Sequence, residues 1–248
     1  MSNFWLNELI KGIVFYSVAW LLGLWVLKRG IRVNYTRKIF HFMLFFFPLA
    51  LMDVLPYQSS FVTIVLSGLI FLCSIGTFIH PLRSRSSFLA TAYASFDRPE
   101  DRPFTLLWLS TQVLATYAVM IPVLLWLGHY GKESLIYITL VIAGMGDGLA
   151  EPVGVRFGKH KYRTRAFFTD RVYTRSIEGS LCVLFTGIFA VILLRGQLTA
   201  PQFWLALAII PLAMTLAEAL SPHTWDSPFL YLVGGTSTVA VLEISASI

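Results

Sequence analysis

Apolar stretches long enough to cross a lipid bilayer occupy most of this 248-residue chain. A hydrocarbon core roughly 30 Å thick needs about 20 consecutive, mostly apolar residues per helix. Windows of this kind predict about eight transmembrane helices, at Leu9–Leu27, Ile39–Leu55, Phe61–Ile79, Phe104–Leu127, Leu135–Val153, Ile177–Leu194, Phe203–Leu220 and Phe229–Ile244. Only 13% of the residues are charged, against roughly 25% in soluble domains. We therefore predict an all-α integral membrane protein, a polytopic bundle of about eight helices.

The connections between these windows are short. We expect a single polytopic domain over residues 1–248, with any chemistry built at the bundle and in loops 28–38, 80–103, 154–176 and 221–228. The segment His80–Pro103 mixes cations with carboxylates, which predicts a solvated loop or a surface amphipathic segment. The segments that carry Asp147 and Gly234-Gly235 are the ones where a helix break is most expected.

The distribution of cations predicts the orientation of the bundle. Sixteen of the 19 Lys and Arg residues fall around the first, third and fifth connections, and only Lys11, Lys132 and Arg195 fall elsewhere. Cytoplasmic loops carry the excess of Lys and Arg in membrane proteins. The three basic connections are therefore expected in the cytoplasm, with both termini outside.

The most informative segment runs from Gly146 to Gly158, where Asp147 stands between glycines near a membrane edge. A carboxylate in such a place is costly and therefore usually functional. On a helix, Asp147 and Glu151 share one face, and such a pair can hold Mg²⁺ together with substrate phosphates. The glycines either let a phosphate approach the backbone or allow close helix packing.

A strongly basic connection follows this segment. It holds Arg156, Lys159, Lys161, Arg163, Arg165, Arg171 and Arg175, and only Asp170 opposes them. Such a field attracts polyanions, or alternatively anionic lipid headgroups. Arg175-Ser176 and Glu178-Gly179-Ser180 then place a cation, hydroxyls and a carboxylate at a helix N-terminus, where backbone N–H groups face an anion. Glu178 has the alternative role of stabilising that N-terminus.

Two smaller clusters fall on the same predicted side as Asp147. Arg37, Lys38 and His41 stand at the start of the second window, and Glu218 ends the seventh, followed by a turn that contains Asp226. The orientation was assigned from Lys and Arg alone, so the convergence of these carboxylates and His41 on the cytoplasmic side is an independent observation.

At these positions the chain resembles the polyprenol kinase family, which includes dolichol, phytol and farnesol kinases and a CTP-dependent diacylglycerol kinase. The family's nucleotide signature is matched by Asp147, Ala150, Gly154 and Gly158. Its Lys-Ser/Thr-x-Glu-Gly element is similar to Arg175-Ser176-Ile177-Glu178-Gly179, its Arg-Lys-x-x-His element matches Arg37, Lys38 and His41, and its closing acidic turn resembles Glu218 to Pro228. These matches span residues 37 to 228.

The resemblance implies a membrane-embedded kinase that transfers the terminal phosphoryl group of CTP or another nucleotide to a lipid alcohol, with Mg²⁺ as cofactor. Expected metal ligands are Asp147, Glu178 and Glu218, and expected catalytic residues are Asp147, His41 and Glu178. The expected nucleotide-binding residues are Gly148, Ala150, Gly154, Arg156, Gly158, Lys159, Arg175, Ser176, Gly179, Ser180, Arg37 and Lys38, with Glu151 and Asp226 nearby.

Two other functions fit the same residues. One is a cytidylyltransferase similar to CDP-diacylglycerol synthase, which would attach CMP to a lipid and release pyrophosphate. The other is a lipid or anion transporter, although no internal repeat is evident. The expected partners are the lipid alcohol, the nucleotide and the bilayer, without a nucleic acid.

Overall fold

The computed structural model describes residues 2–167 and 169–246. These residues form eleven α-helices, α1 to α11, and one hairpin of two strands, β1 and β2. In chain order the elements are α1 Ser2–Arg29, α2 Val33–Val54, α3 Phe61–Gly76, α4 His80–Arg83, α5 Ser87–Ala94, α6 Thr105–His129, α7 Ile136–Val141, α8 Asp147–Phe157, β1 Lys161–Ala166, β2 Thr169–Ser176, α9 Ile177–Leu193, α10 Ala200–Leu220 and α11 Asp226–Ala246.

The prediction of an all-α membrane protein is confirmed in its main part, because the eight apolar windows fall largely on helix; the exception is the hairpin of β1 and β2, which the sequence analysis did not predict. Five helices are long and apolar enough to cross a membrane: Asn3–Arg29, Thr105–His129, Glu133–Phe157, Ala200–Leu220 and Asp226–Ala246. α3 and α9 are apolar but shorter. Eight crossings and the sides of the termini stay predictions.

The two segments where a break was expected differ: one is a continuous α-helix, and the other changes from α to π geometry without losing its helical form. Helix α11 runs unbroken through Gly234-Gly235. The segment before Asp147 forms a π-helical turn, Ile142–Gly146, that joins α7 to α8. Glu133–Phe157 is consequently one helical segment of 25 residues.

The chain divides into two compact units, and the division falls within α6, between Leu114 and Ala115. In the first unit α1 packs against α2, α3 and α5. Its aromatic core contains Phe78, Tyr93 and Phe96, whose rings meet in edge and tilted contacts 5.2 to 6.2 Å apart.

The connection at residues 80–103 is more ordered than the sequence predicts. It forms α4, α5 and a 3₁₀ turn at Pro99–Asp101. Asp97, Arg98 and Asp101 are buried, and Arg98 Nε donates to Asp101 Oδ2 at 2.6 Å. The expectation of a solvated mixed-charge loop is therefore wrong for these three residues, because each buried charge has a partner of opposite sign within the connection or at its end.

Helix α1 also buries an ion pair. Lys11 Nζ lies 2.7 Å from Glu8 Oε1, which also accepts a 2.6 Å hydrogen bond from the hydroxyl of Ser67. An unpaired charge exposed to lipid is costly, whereas buried charges of opposite sign that bond to one another are tolerated in a membrane-spanning helix.

In the second unit α9 packs against α8 and α10, and α10 packs against α11. Large apolar side chains remain exposed on this unit, among them Phe185, Trp204 and Leu220. Exposed apolar surface of this kind is expected where lipid replaces water.

The basic connection folds into the antiparallel hairpin of β1 and β2. Lys161, Arg163 and Arg165 are exposed, whereas Tyr162 and Thr164 point inward. The hairpin rests on the turn between α10 and α11, since Thr164 Oγ1 donates to the carbonyl of Ser221 at 3.1 Å. Side chains alternate across a strand, so this arrangement separates an outer basic face from an inner polar face.

Candidate active site

Helix α8 begins at Asp147, directly after the π-helical turn. The backbone N–H of Asp147 donates to the carbonyl of Ile142, five residues earlier, as in a π-helix. Asp147 is buried, with 7% of its surface exposed. Single π turns inside helices occur frequently at functional sites, and here one sets the position of a buried acidic residue.

Two glycines of this segment, and Gly179 on α9, pack closely against the protein's own chain. A Cβ atom at Gly154 would lie 2.9 Å from Ser176 Oγ, and one at Gly158 would lie 2.8 Å from the same atom. At Gly179 it would lie 2.6 Å from the carbonyl oxygen of Ala150. Of the two sequence-based interpretations, close helix packing accounts for these three glycines.

A buried ion-pair network joins the end of β2 to both sides of the α10–α11 turn. Arg175 Nη1 donates to Glu218 Oε1 at 3.1 Å and to Ser221 Oγ at 3.2 Å, and Nη2 donates to Asp226 Oδ1. Only 12% of the Arg175 side chain, 6% of Glu218 and 14% of Asp226 are exposed. A planar guanidinium can serve two carboxylates at once, which an ammonium group cannot do in the same geometry.

The network extends to α9 and the hairpin through hydroxyl groups. Ser180 donates to Glu218 Oε2 at 2.8 Å, and the hydroxyls of Ser180 and Tyr162 lie 2.7 Å apart. Asp147 adds a weak electrostatic influence on Glu218. Hydrogen bonds join Arg175, Ser180, Glu218 and Asp226 in one buried polar region, and we call these four residues together with Asp147 the acidic cluster.

The electrostatics of the acidic cluster follow from its composition. Burial acts to lower the pKa of Arg175, but the charges of Asp226 and Glu218 outweigh it and raise that pKa above its usual value. The guanidinium therefore stays charged. Two carboxyl groups contact this one cation, and Asp147 adds a third acidic residue to the cluster, an excess that favours an additional cation.

The turn that follows α10 contributes strained and unsatisfied groups. Thr224 has a φ of 68°, a left-handed conformation that is unusual for a β-branched residue. Thr224 Oγ1 and Trp225 Nε1 are buried, and neither has a hydrogen-bond partner within residues 2–167 and 169–246. Backbone strain and unsatisfied donors cluster at ligand-binding sites, where a bound molecule completes the hydrogen bonds.

Two aromatic pairs hold the hairpin against this turn. The rings of Tyr173 and His223 stack 3.7 Å apart, and Phe167 meets Trp225 edge to face at 4.9 Å. The backbone N–H of His223 also donates to the carbonyl of Arg165 at 2.7 Å. The position of the turn is consequently fixed by the hairpin.

Glu178 does not join the acidic cluster. Its Oε1 lies 2.8 Å from His160 Nδ1, and the backbone N–H of His160 donates to the same atom at 3.2 Å. Among the residues that the structure describes, no three His, Cys, Asp or Glu side chains are grouped to hold a metal ion. The three-ligand Mg²⁺ site of Asp147, Glu178 and Glu218 is thus not assembled.

The remaining predicted residues lie around or apart from the cluster. Ser176 caps α9 by accepting a 3.1 Å hydrogen bond from the N–H of Gly179. Gly148 and Glu151 lie on α8 within one turn of Asp147. Arg156 is exposed in the last turn of α8, and Lys159 is exposed just beyond its end.

Arg37, Lys38 and His41 lie on α2, in the first unit. The ring of His41 lies 4.6 Å from that of Phe45. Their participation in the site stays a prediction.

Three hydrogen-bonding residues of the cluster were not identified from the sequence: Tyr162, Thr164 and Ser221. A signal for the first two is present, because residues 161–165 alternate between cations and Tyr or Thr, which is typical of a strand with one buried face. No comparable pattern marks Ser221.

Comparison with protein-family models, with curated proteins and with solved structures found no match for this chain.

Proposed function

We propose that this chain is a membrane-embedded lipid-alcohol kinase, which transfers the terminal phosphoryl group of a nucleoside triphosphate to an isoprenoid alcohol. The observation that carries the proposal is the acidic cluster itself. Arg175 bonds to Glu218 and Asp226, which stand 43 and 51 residues further along the chain. These residues come from two separate elements of the family resemblance, and a third element supplies Asp147.

The charge of the acidic cluster supports a substrate that arrives as a cation–phosphate complex. Mg²⁺ usually retains several waters and needs only one or two carboxylates beside the phosphates of its nucleotide. Asp147 and Glu218 are the residues that we assign to such a complex. Bound there, Mg²⁺ would neutralise charge on the phosphate oxygens of the donor.

Arg175 has an organising role in this proposal. Its guanidinium already serves Glu218, Asp226 and Ser221, so direct binding of a phosphate would require it to give up a carboxylate. We therefore assign phosphate attraction to the exposed Arg156 and Lys159 and to the outer basic face of the hairpin.

The unsatisfied groups of the turn give further support. Thr224 Oγ1 and Trp225 Nε1 are two buried donors beside Asp226, and acceptor atoms of a nucleotide would satisfy both. CTP as the donor rests on the family resemblance.

The chemical step needs positioning more than covalent catalysis. The alcohol oxygen attacks the terminal phosphorus, the bond from that phosphorus to the bridging oxygen breaks, and the nucleoside diphosphate leaves. The alcohol proton passes to a base, for which Asp147 is the candidate.

The apolar exterior of the second unit supports a lipid as acceptor. A long alcohol lying in the bilayer would bring only its hydroxyl to the level of Asp147. We expect activity on several prenols of similar length, with phytol-like or longer polyprenyl chains preferred over diacylglycerol. Apolar grooves separate such substrates by only about 1–3 kcal/mol per methylene.

The position of the transferred label tests the proposal against its rivals. The purified chain in detergent is incubated with Mg²⁺, a panel of prenols and diacylglycerol, and CTP labelled at either its γ or its α phosphorus. Label from the γ position in a prenol, with CDP released and with loss of the reaction in EDTA, is the expected result. Label from the α position would instead indicate a cytidylyltransferase, and the absence of any labelled lipid would refute the proposed kinase.

A further inference from the structure

A cavity of about 340 Å³ opens in the first unit, beside α4 and α5. Its polar lining comes from three stretches of chain: His80, Arg83 and Ser84 around α4, Tyr93 on α5, and Asp97 and Arg102 beyond it. Small-molecule sites typically enclose about 300–1,000 Å³, so the cavity is large enough for a small ligand.

Arg83 is the central group of this cavity. Its guanidinium carbon lies 3.8 Å from the centroid of the Tyr93 ring, which holds the cation over the ring face. Its Nη1 atom is buried and has no hydrogen-bond partner in the described part of the chain. An unsatisfied donor on a charged group gains most from a charged acceptor.

The one carboxylate in the lining does not neutralise Arg83. Asp97 Oδ2 accepts a 2.8 Å hydrogen bond from Arg102 Nε, and Oδ1 accepts one of 2.8 Å from Thr105 Oγ1. Two guanidinium groups and one carboxylate therefore line the cavity, which leaves an excess of positive charge.

We propose that this cavity binds a phosphate monoester group, separately from the acidic cluster and beyond the proposed kinase activity. Two guanidinium groups, of Arg83 and Arg102, line the cavity from different stretches of chain, which suits the several terminal oxygens of a phosphate, whereas a planar carboxylate is met by one guanidinium fork. The volume beyond the phosphate accommodates the group that carries it. A phosphatidate headgroup carries such a monoester, and inorganic phosphate offers the same terminal oxygens without the ester.

Binding to the purified full-length chain in a neutral detergent tests the proposal. The probes are inorganic phosphate, water-soluble dihexanoyl phosphatidate and, as a carboxylate control, acetate, each titrated calorimetrically at constant ionic strength. Both phosphate probes should bind and acetate should not. Tighter binding of the phosphatidate would identify the source as a lipid headgroup, and equal binding would identify free phosphate.

Arg83→Gln should weaken phosphate binding by at least about tenfold, because a charge-assisted hydrogen bond is lost. Arg85→Gln is the matched control: Arg85 is exposed in the same connection and does not line the cavity. Ala90→Trp, at an exposed position in the cavity wall, should block binding without removing any charge.

The proposal is overturned if the wild-type chain binds neither phosphate probe, or if acetate binds as well as phosphate. It is also overturned if Arg85→Gln weakens binding as much as Arg83→Gln. Should Arg83→Gln not fold, wild-type binding by the Ala90→Trp chain would contradict the proposal on its own.

Discussion

Removing the guanidinium of Arg175 should cost this protein a large part of its stability. Arg175→Met keeps an apolar stem of similar length but leaves Glu218 and Asp226 buried without their cation, at 6% and 14% side-chain exposure. Breaking one buried ion pair by removing a partner costs about 3–5 kcal/mol. Arg175→Met breaks two such pairs, but Ser180 and Ser221 still donate to the two carboxylates, so we expect a loss of about the size given for one pair.

The assay is reversible unfolding in mixed micelles, followed by tryptophan fluorescence. Arg163→Met is the matched control, since Arg163 is an exposed cation of the same hairpin and its loss should change the free energy of unfolding by less than about 0.5 kcal/mol. Neutralising the partners in a triple variant, Arg175→Met with Glu218→Gln and Asp226→Asn, should recover most of the loss. Equal effects of the Arg175 and Arg163 substitutions would refute the reasoning.

Three further outcomes are expected. Gly179→Ala should lower the free energy of unfolding by about 1–3 kcal/mol, because the new Cβ would lie 2.6 Å from a backbone oxygen of α8. The control is Gly196→Ala, whose Cβ would meet no atom within 4 Å and which should be nearly neutral. Similar unfolding curves for the two variants would contradict the packing argument. Burial is the main cause that raises the pKa of Tyr162 above 10.0, so the stabilising contribution of the neutral Tyr162 is present below about pH 10 and is lost as the pH rises through the folded-state pKa. Above pH 10 the free energy of unfolding should therefore fall more steeply in the wild-type chain than in Tyr162→Phe. Parallel falls in the two chains would exclude this linkage. Cysteines placed at Lys132 and Lys161, which flank the helical segment Glu133–Phe157, should react with an impermeant thiol reagent from opposite sides of the membrane, and labelling from one side would disprove the orientation.

The helices could be predicted from the sequence because hydropathy acts locally. Each apolar window needs only its own residues to satisfy the backbone in lipid, and all of them are helical in the structure. The number of crossings is a different matter, since α3 and α9 are helical but short for a bilayer. The apolar pattern of α6 did not predict that the chain divides into two compact units within this helix.

The candidate site was predictable in its members and not in its geometry. Asp147, Arg175, Ser180, Glu218 and Asp226 were all identified from residue type, position and family resemblance, and hydrogen bonds join the last four of them in the structure. Which of these side chains pair depends on the tertiary structure. Arg175 binds two carboxylates, whereas the sequence predicted that it would contact a phosphate. A two-residue separation along α9 places two side chains on different faces, which is why Ser180 reaches the cluster and Glu178 does not.

At residues 80–103 the sequence pattern predicted the wrong environment for Asp97, Arg98 and Asp101, which are buried and not solvated. Mixed charges usually indicate a solvated surface, but here each buried charge is compensated locally, at a sequence separation of three to five residues. Burial of such pairs depends on what packs over them, which no local pattern reports.

The central claim is that Asp147 and the acidic cluster form the phosphoryl-transfer site of a lipid kinase. Its most direct measurement is the rate at which label passes from γ-labelled CTP into a prenol, for the wild-type chain, Asp147→Asn and Asp170→Asn. The Asp170 control removes the same charge from an exposed position of the hairpin. The account predicts loss of transfer in a folded, membrane-inserted Asp147→Asn protein and an almost unchanged rate in Asp170→Asn, whereas wild-type transfer by Asp147→Asn would contradict it.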